Sequence, residues 1–441
     1  MNAPTTSKQG HLLTAVILAY NSQETGEPRS RQFRVGTLPI LLRNILAAQR
    51  VGAERIIIWV DAITGLDSQR ELLDSGRLPS IVEWIYARPD TELPQILKQI
   101  ASDPCERNLL LVSGNSTYHP ALFRQASEWE GRRHALALTS KDDLVGICAL
   151  PAEIVCDIVD RCPCSMRSME DLSAWLLVND AIQCEPVQEG LWQRVLTSED
   201  RICAERKLEQ WLVKPTDGIF ARMNRRISIP ISRQLAKLPI TPNMVSLFTL
   251  CVGFVAGLFF ARGSYWNVLL GAMLSVWASI LDGCDGELAR LKLMESDFGC
   301  WLETVCDYLY YLFIFAGMAI GLLRSSGTKT YLIWTGLLLV GAVVSFLVTG
   351  IGRHRLASQS PEQYLKIWQA RAESRRSNPI LYFGRHTEFI IRRCFMPYAL
   401  LFFAVLDITR VAFVMAAVGA NMVWLISLYS YRTPVTRRPA A

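Results

Sequence analysis

Hydrophobic positions change rhythm along the chain. In the first half they come as short unbroken runs, at residues 12–19, 55–60, 109–112 and 135–137. Runs of this length, rich in Val, Ile and Leu and bounded by polar residues, read as strands buried on both faces. Residues 37–50, between the first two runs, follow helical spacing, so the chain opens as a βαβ unit, and the later runs alternate with helix-like segments. The pattern predicts an α/β domain with a mostly parallel sheet over residues 11–210. It does not give the strand order.

From residue 244 the apolar segments lengthen. They cover 244–261, 266–284, 297–323, 330–351, 394–409 and 411–430, several of them near the roughly 20 residues that cross a bilayer. This predicts an all-α polytopic domain of about six transmembrane helices over residues 241–432. Between the two halves, residues 217–240 alternate apolar and basic positions at helical spacing, with a break expected at Pro230. Such a segment lies in the membrane interface. Thr241-Pro242-Asn243 then reads as the start of the first spanning helix.

Charge orients these segments. The 441 residues carry a net charge of +6. The basic residues gather before the first span (Arg222, Arg225, Arg226, Arg233, Lys237), after the second (Arg290, Lys292), after the fourth (Arg353 to Arg393) and after the sixth (Arg432, Arg437, Arg438). The positive-inside rule places both termini and the loop after the second span in the cytoplasm. The charge is accounted for by membrane topology, and no nucleic-acid partner is expected. Residues 1 to 10 are polar, so no signal peptide is expected. The twelve cysteines lack paired CxxC spacing, and Cys162-Pro-Cys164 has no second pair or nearby histidine to make a zinc site; they read as reduced thiols.

At the same cytoplasmic face the chain gathers carboxylates. Asp282, Asp285 and Ala289 stand at i, i+3, i+7, and Gly299, Glu303 and Asp307 at i, i+4, i+8, so each set forms one stripe on a helix. Two such stripes can face each other. Hard carboxylate oxygens suit Mg²⁺ or Mn²⁺ better than zinc, and a divalent cation at a membrane face suits phosphate chemistry. The competing class is a cation-coupled membrane transporter, because acids in apolar helices also mark ion pathways.

The stretch reads Asp282-x-x-Asp285-Gly286-x-x-Ala289-Arg290, eight residues, then Gly299-x-x-x-Glu303-x-x-x-Asp307. It resembles the signature of the CDP-alcohol phosphotransferase (phosphatidyltransferase) family, with Glu303 in place of that family's third aspartate. The resemblance implies metal-dependent transfer of a substituted phosphate from a CDP-alcohol donor to a hydroxyl acceptor, with release of CMP, in phospholipid or polar-lipid synthesis. It implies that Asp282, Asp285 and Glu303 hold Mg²⁺ or Mn²⁺ on the diphosphate. Asp307, counted with these metal residues, is also the base for the acceptor's proton, and Gly286, Ala289, Arg290, Gly299 and Asn243 contact nucleotide or phosphate. It further implies a lipid or polyol-phosphate acceptor, a homodimer, and an integral protein of the cytoplasmic membrane in contact with its lipids. Glutamate still ligates a metal but reaches one methylene further than aspartate, so either the helices adjust or metal occupancy and activity fall. Near the start of the fifth span the resemblance implies Arg-Asp, whereas this chain has Arg385-His386-Thr387-Glu388. Arginines of the preceding loop, among them Arg371, Arg375, Arg376, Arg392 and Arg393, suit either a positive-inside loop or a phosphorylated acceptor.

The first half also carries a resemblance, in Ala15-Val-Ile-Leu-Ala, in 35–44, in 51–58 and in the stretch from Trp192 to Asp200. It is similar to sugar-phosphate and alcohol-phosphate nucleotidyltransferases over about residues 11–210. Some members of the transferase family carry such a domain fused in front, making CDP-inositol from CTP and inositol phosphate. The catalytic residues of that chemistry are missing here. The loop after the first strand, Tyr20-Asn-Ser-Gln-Glu-Thr-Gly-Glu-Pro-Arg, lacks the Gly-x-Gly-x-Arg that wraps a triphosphate, and no lysine occurs between Lys8 and Lys98. Asn115 and the run Val195-Leu196-Thr197 occupy the places of metal-binding aspartates. The expectation is a non-catalytic nucleotidyltransferase-like domain; a bifunctional enzyme is the alternative. Arg29, Arg31 and Arg34 read as a solvated loop.

Overall fold

The computed structural model describes residues 12–19, 33–61, 65–87, 92–100, 107–129, 134–141, 143–161, 169–214, 217–356 and 394–432. The loop 20–32 with Arg29 and Arg31, Cys162-Pro-Cys164, the basic stretch from residue 357 to Arg393 and the tail from 433 lie outside the described residues. The chain divides into two compact units, Met1–Leu212 with Leu291–Leu293, and Val213–Arg290 with Met294–Ala441.

The first unit contains strands β1 (Leu12–Ala19), β2 (Arg34–Val35), β3 (Leu38–Pro39), β4 (Arg55–Asp61), β5 (Val82–Ala87), β6 (Arg107–Ser113), β7 (Ser116–Tyr118), β8 (Ala135–Ser140), β9 (Asp143–Leu150), β10 (Ile182–Pro186) and β11 (Trp192–Arg194). Helices α1 (Ile40–Arg50), α2 (Gly65–Asp74), α3 (Leu93–Ile100), α4 (Pro120–Ser127), α5 (Ala152–Arg161), α6 (Met169–Val178) and α7 (Ser198–Leu212) are interleaved with them. Seven strands form one sheet in the order β10-β8-β9-β6-β1-β4-β5. All its pairings are parallel except those of β9 with β6 and β8.

Alternation along the central strands explains why the runs read as continuously apolar. On β1, β4 and β6, residues Ala15, Ile17, Ile56, Ile58, Leu110 and Val112 enter the core on one face, while Val16, Ile57, Trp59, Leu109 and Leu111 enter the core on the other. Both faces are covered by helices, as a parallel sheet requires. The central strands follow the runs seen in the sequence, with Pro39 entering as the end of a short strand and α1 beginning at Ile40. The thiol of Cys148, buried in this core, is pushed up to about 12 by its burial, which keeps it inert.

The second unit is helical: α8 (Ile219–Ala236), α9 (Pro242–Arg262), α10 (Tyr265–Lys292), α11 (Asp297–Ser326), α12 (Thr330–Leu356), α13 (Met396–Val405) and α14 (Thr409–Arg432). Among the described residues, α9, α10 and α11 are long and apolar enough to cross a membrane. The count of about six spans is not confirmed: the apolar stretches Thr330–Ser345, Met396–Val405 and Thr409–Met422 are shorter. The break expected at Pro230 is absent, since α8 runs through it. Pro230 and Arg226, whose carbonyl loses its donor to the ring, both lie on the exposed face of α8, where water or headgroups supply the missing hydrogen bond.

Glycines set the spacing of α9 against α11. A Cβ on Gly317 would stand 2.1 Å from the Gly257 carbonyl oxygen, and one on Gly321 would stand 2.2 Å from that of Phe260. Gly253 makes room for the Tyr310 ring in the same way, at 2.4 Å. Gly253 and Gly257 on α9, and Gly317 and Gly321 on α11, repeat at the four-residue spacing of small-residue helix pairs. Gly263 and Gly327 end these two helices in the left-handed conformation.

Gly317→Leu should therefore destabilise the unit by on the order of 1–3 kcal/mol through overpacking, while Gly336→Leu, at a position with nothing within 4 Å, should leave it unchanged; unfolding in mixed micelles compares the two. In the first unit, His119 caps α4 by accepting a hydrogen bond at Nδ1 from the Ala121 amide at 3.1 Å, and burial lowers its pKa. A cap that needs neutral imidazole contributes stability above the unfolded value of about 6.5 and loses it as pH falls through the lower folded value. His119→Asn keeps a capping acceptor, so the variant should lose less thermal stability than wild type between about pH 7.5 and about pH 5.5.

Candidate active site

Helix length places the acidic stripes. Helices α10 and α11 hold 28 and 30 residues, about 42 and 45 Å at 1.5 Å per residue, against a hydrocarbon core of about 30 Å. Both therefore extend beyond the core, and the connection 293–296 joins the end of α10 to the start of α11. The carboxylates occupy this shared end.

A hydrogen bond sets the register between the two helices. The Tyr310 hydroxyl on α11 lies 2.5 Å from Ser275 Oγ on α10 and donates to the Ser275 carbonyl at 3.2 Å. Asp282 is seven residues from Ser275 towards the connection, and Glu303 is seven residues from Tyr310 towards the same connection. Asp282 and Glu303 thus stand at one level, about 10 Å from that bond along the axis. Asp285 lies about a turn nearer the connection and Asp307 about a turn deeper.

Burial differs among the four. Asp285 is only 4% exposed, Asp282 and Asp307 are half-buried, and Glu303 is exposed. Asp285 is oriented by two donors, Ser246 Oγ on α9 at 2.6 Å to Oδ2 and the Gly286 amide at 2.5 Å to Oδ1. Among the described residues no three His, Cys, Asp or Glu side chains gather closely enough to enclose an ion. The donor types, carboxylate oxygens near the ends of two helices joined by a hydrogen bond, are those a hard cation takes.

The nucleotide and phosphate candidates collect around the same end. Thr241 caps α9, with Met244 N donating to its hydroxyl at 3.4 Å, and this brings Asn243 to the mouth of the site. A Cβ on Gly299 would stand 3.4 Å from Asn243 Oδ1 and 3.1 Å from Ser296 Oγ, the N-cap of α11. Asn243, Ser246, Asp285 and Gly299 are thus neighbours drawn from three helices. Gly286 faces Arg290, whose Nη1 would lie 3.6 Å from an added Cβ. Ala289 is half-buried on the same helix.

Glu287 is a residue the motif does not single out. It is fully buried and accepts from Arg225 Nη1 at 2.6 Å and Ser228 Oγ at 2.5 Å on Oε1, and from Ser232 Oγ at 2.5 Å on Oε2. Arg225 also donates to the Gly283 carbonyl at 3.1 Å and to Asp217 at 3.3 Å. Burial pulls the Arg225 pKa down, but the hydrogen bond and charge of Glu287, with Asp217, outweigh it and hold the group above its usual value. The signal that points to its partners, unread in the sequence above, is Asn224, Ser228 and Ser232, a four-residue polar period inside an apolar and basic helix. These residues face inward, while Ile219, Met223 and Ile227 are exposed.

In the first unit, Asn44 Nδ2 donates to the carbonyls of Ser113 (3.2 Å) and Ser116 (3.1 Å), fixing the turn that carries Asn115 beyond β6. Asn115 Oδ1 is buried and has no hydrogen-bond partner there. Asp200 is occupied as a helix cap: its carboxylate accepts from the Leu196 and Thr197 amides, and Thr197 Oγ1 accepts from the Asp200 amide. This reciprocal pair is a capping box.

Comparison with known proteins shows what the second unit is similar to. Residues 239–420 match the family model described as CDP-alcohol phosphatidyltransferase. A curated relative from Aquifex aeolicus, "Bifunctional IPC transferase and DIPP synthase", is 30% identical over 251 residues, 56% of this chain and 52% of the relative. A protein of the same name from Archaeoglobus fulgidus is 37% identical over 131 residues, 29% of this chain and 26% of the relative. The chain thus spans about half, or less, of the length of these relatives. Among solved structures, 4-diphosphocytidyl-2C-methyl-D-erythritol synthase from Anaerococcus prevotii overlaps 46% of this chain and 97% of its own, with a TM-score of 0.37 and 16% identity.

Ser246→Ala removes a donor from Asp285. If Asp285 holds a cation, activity or metal affinity should fall by about 10- to 100-fold while Ser246→Thr stays near wild type, as measured by the dependence of turnover on Mn²⁺ concentration.

Proposed function

We propose that the domain over residues 241–432 transfers a substituted phosphate from a CDP-alcohol to a hydroxyl acceptor and releases CMP, in the synthesis of phospholipids or related polar lipids. The observation that carries this reading is Asp285, held by Ser246 and Gly286 at the helix end where Asn243 and Gly299 meet, within a region matched by the family. A transporter reading accounts for the acids but not for the glycines, Asn243 and Arg290 gathered around them.

The roles follow from chemistry. Asp282, Asp285, Glu303 and Asp307 would hold Mg²⁺ or Mn²⁺, which supplies charge neutralisation on the diphosphate. Asp307, a turn deeper than Asp282 and Glu303, takes the proton of the attacking hydroxyl. Gly286 and Gly299 admit the nucleotide's phosphates close to the backbone. Ala289 keeps that face low, Arg290 pairs with phosphate, and Asn243 offers an amide beside Gly299. The basic segments favour a site and termini on the cytoplasmic side of the inner membrane, where CTP-derived donors are made. A homodimer in contact with membrane lipids completes the reading.

A second reading is favoured by the bifunctional name of the relatives: residues 11–210 would make the CDP-alcohol from CTP, in CDP-inositol fashion. Asn115 and the Val195-Leu196-Thr197 run argue against it, since an amide and apolar side chains do not hold a cation against a triphosphate. Pyrophosphate release from CTP and inositol phosphate by the full chain, surviving Asp307→Asn, would establish it.

Purified protein with Mg²⁺ or Mn²⁺, CDP-diacylglycerol or CDP-inositol and a panel of hydroxyl acceptors should release CMP with at least one pair; ion flux without CMP release from any pair would instead support a transporter. Glu303→Asp restores the shorter ligand and should raise the turnover of the productive pair; a lower turnover would show that the longer side chain is required.

A further inference from the structure

Helix α10 has two polar faces, and only one belongs to the acidic motif. At about 100° per residue, Asp285 and Ala289 lie two residues either side of Glu287 and so about 160° around the axis from it. Asp282, five residues away, lies about 140° around. Glu287 therefore projects from the back of the turns whose front carries the motif. On that back face, Ser279, Gly283 and Glu287 repeat every four residues and meet a matching period on α8. Asn224 Nδ2 donates to Ser279 Oγ (3.3 Å) and to its carbonyl (3.4 Å), and Arg225 donates to the Gly283 carbonyl. Arg225, Ser228 and Ser232 all donate to Glu287.

Helix α8 is held in turn. The Tyr398 hydroxyl of α13 donates to Asn224 Oδ1 at 2.5 Å, and Phe220 packs on the Tyr398 ring at 5.1 Å between centroids. Its outer face, with Ile219, Met223 and Ile227 exposed beside Arg222 and Arg226, has the composition that rests on a membrane surface.

We propose that Glu287 is a positioning residue: gripped from behind by Arg225, Ser228 and Ser232, it fixes the rotation of α10 about its axis and so the direction in which Asp282, Asp285 and Ala289 face. This role rests on the transferase reading of the front face. A polar grip does here what apolar packing does poorly, because a carboxylate with donors on both oxygens has few acceptable orientations, whereas greased surfaces slide. A small rotation would carry the front carboxylates off their target, and a misplacement of about 1 Å costs about 100-fold in rate.

The test removes the grip and leaves the charges. Ser228→Ala/Ser232→Ala retains the Arg225–Glu287 pair, so neither ion is left buried alone. In the full-length protein, Mn²⁺ binding followed by electron paramagnetic resonance without substrate should weaken by about 10-fold or more. The turnover number for CMP release should fall by up to about 100-fold with the donor KM little changed. Ser228→Thr/Ser232→Thr keeps both hydroxyls and should restore both quantities. A brace that only stabilised the fold would lower the amount of Mn²⁺ bound and leave the affinity of the folded fraction at the wild-type value; that result, or equal affinities throughout, overturns the positioning role. Wild type that binds Mn²⁺ but releases no CMP from any donor defeats the transferase reading alone, and the affinities still decide the role of Glu287.

Discussion

Glu287 is a fully buried carboxylate, and three donors from a neighbouring helix meet it there. Removing one side of such a pairing costs about 3–5 kcal/mol, because the other is left buried and unpaired. The arrangement of the second unit can be followed outward from this point. Helix α8 supplies serines and an arginine inward, so its apolar residues are left to face outward. Helix α10 is held on its back, so its front is free to carry Asp282, Asp285, Gly286 and Ala289. Helix α9 then closes on that front, with Ser246 donating to Asp285 and Asn243 standing beside Gly299.

The glycine seam between α9 and α11 is the complementary constraint. With no hydrophobic drive between helices in lipid, association depends on close packing, and the carbonyls of Gly257 and Phe260 lie where any side chain on Gly317 or Gly321 would collide. The seam fixes α11 against α9, while the Tyr310–Ser275 bond fixes it against α10. Together they set Glu303 level with Asp282.

Much of this organisation was legible in the chain, for identifiable reasons. β1, β4 and β6 stood out because both faces of a parallel sheet are buried and the runs are unbroken. The position of β9 was not legible, since an antiparallel strand inserted between β6 and β8 carries the same apolar pattern as its neighbours. The motif residues from Asp282 to Asp307 were legible through helical spacing. Glu287 was not, because it occupies a position between the fixed residues, and its meaning lies in Ser228 and Ser232, more than fifty positions away. Pro230 suggested a break because ring and backbone conflict inside a helix; α8 passes through it because the carbonyl affected is on the exposed side. The glycines of α9 and α11 read as mere tolerance until their partners were in place.

The central claim is that the carboxylates at this shared helix end perform the transfer, with Asp307 taking the acceptor's proton. Turnover of wild type and Asp307→Asn, compared on one productive donor–acceptor pair with CMP and the transferred product both quantified, tests it most directly. The account predicts CMP and product in equal amounts from wild type, and from Asp307→Asn a turnover lower by at least about 100-fold, within the range for loss of a general base, with Mn²⁺ still bound. CMP release by Asp307→Asn at the wild-type rate would contradict it.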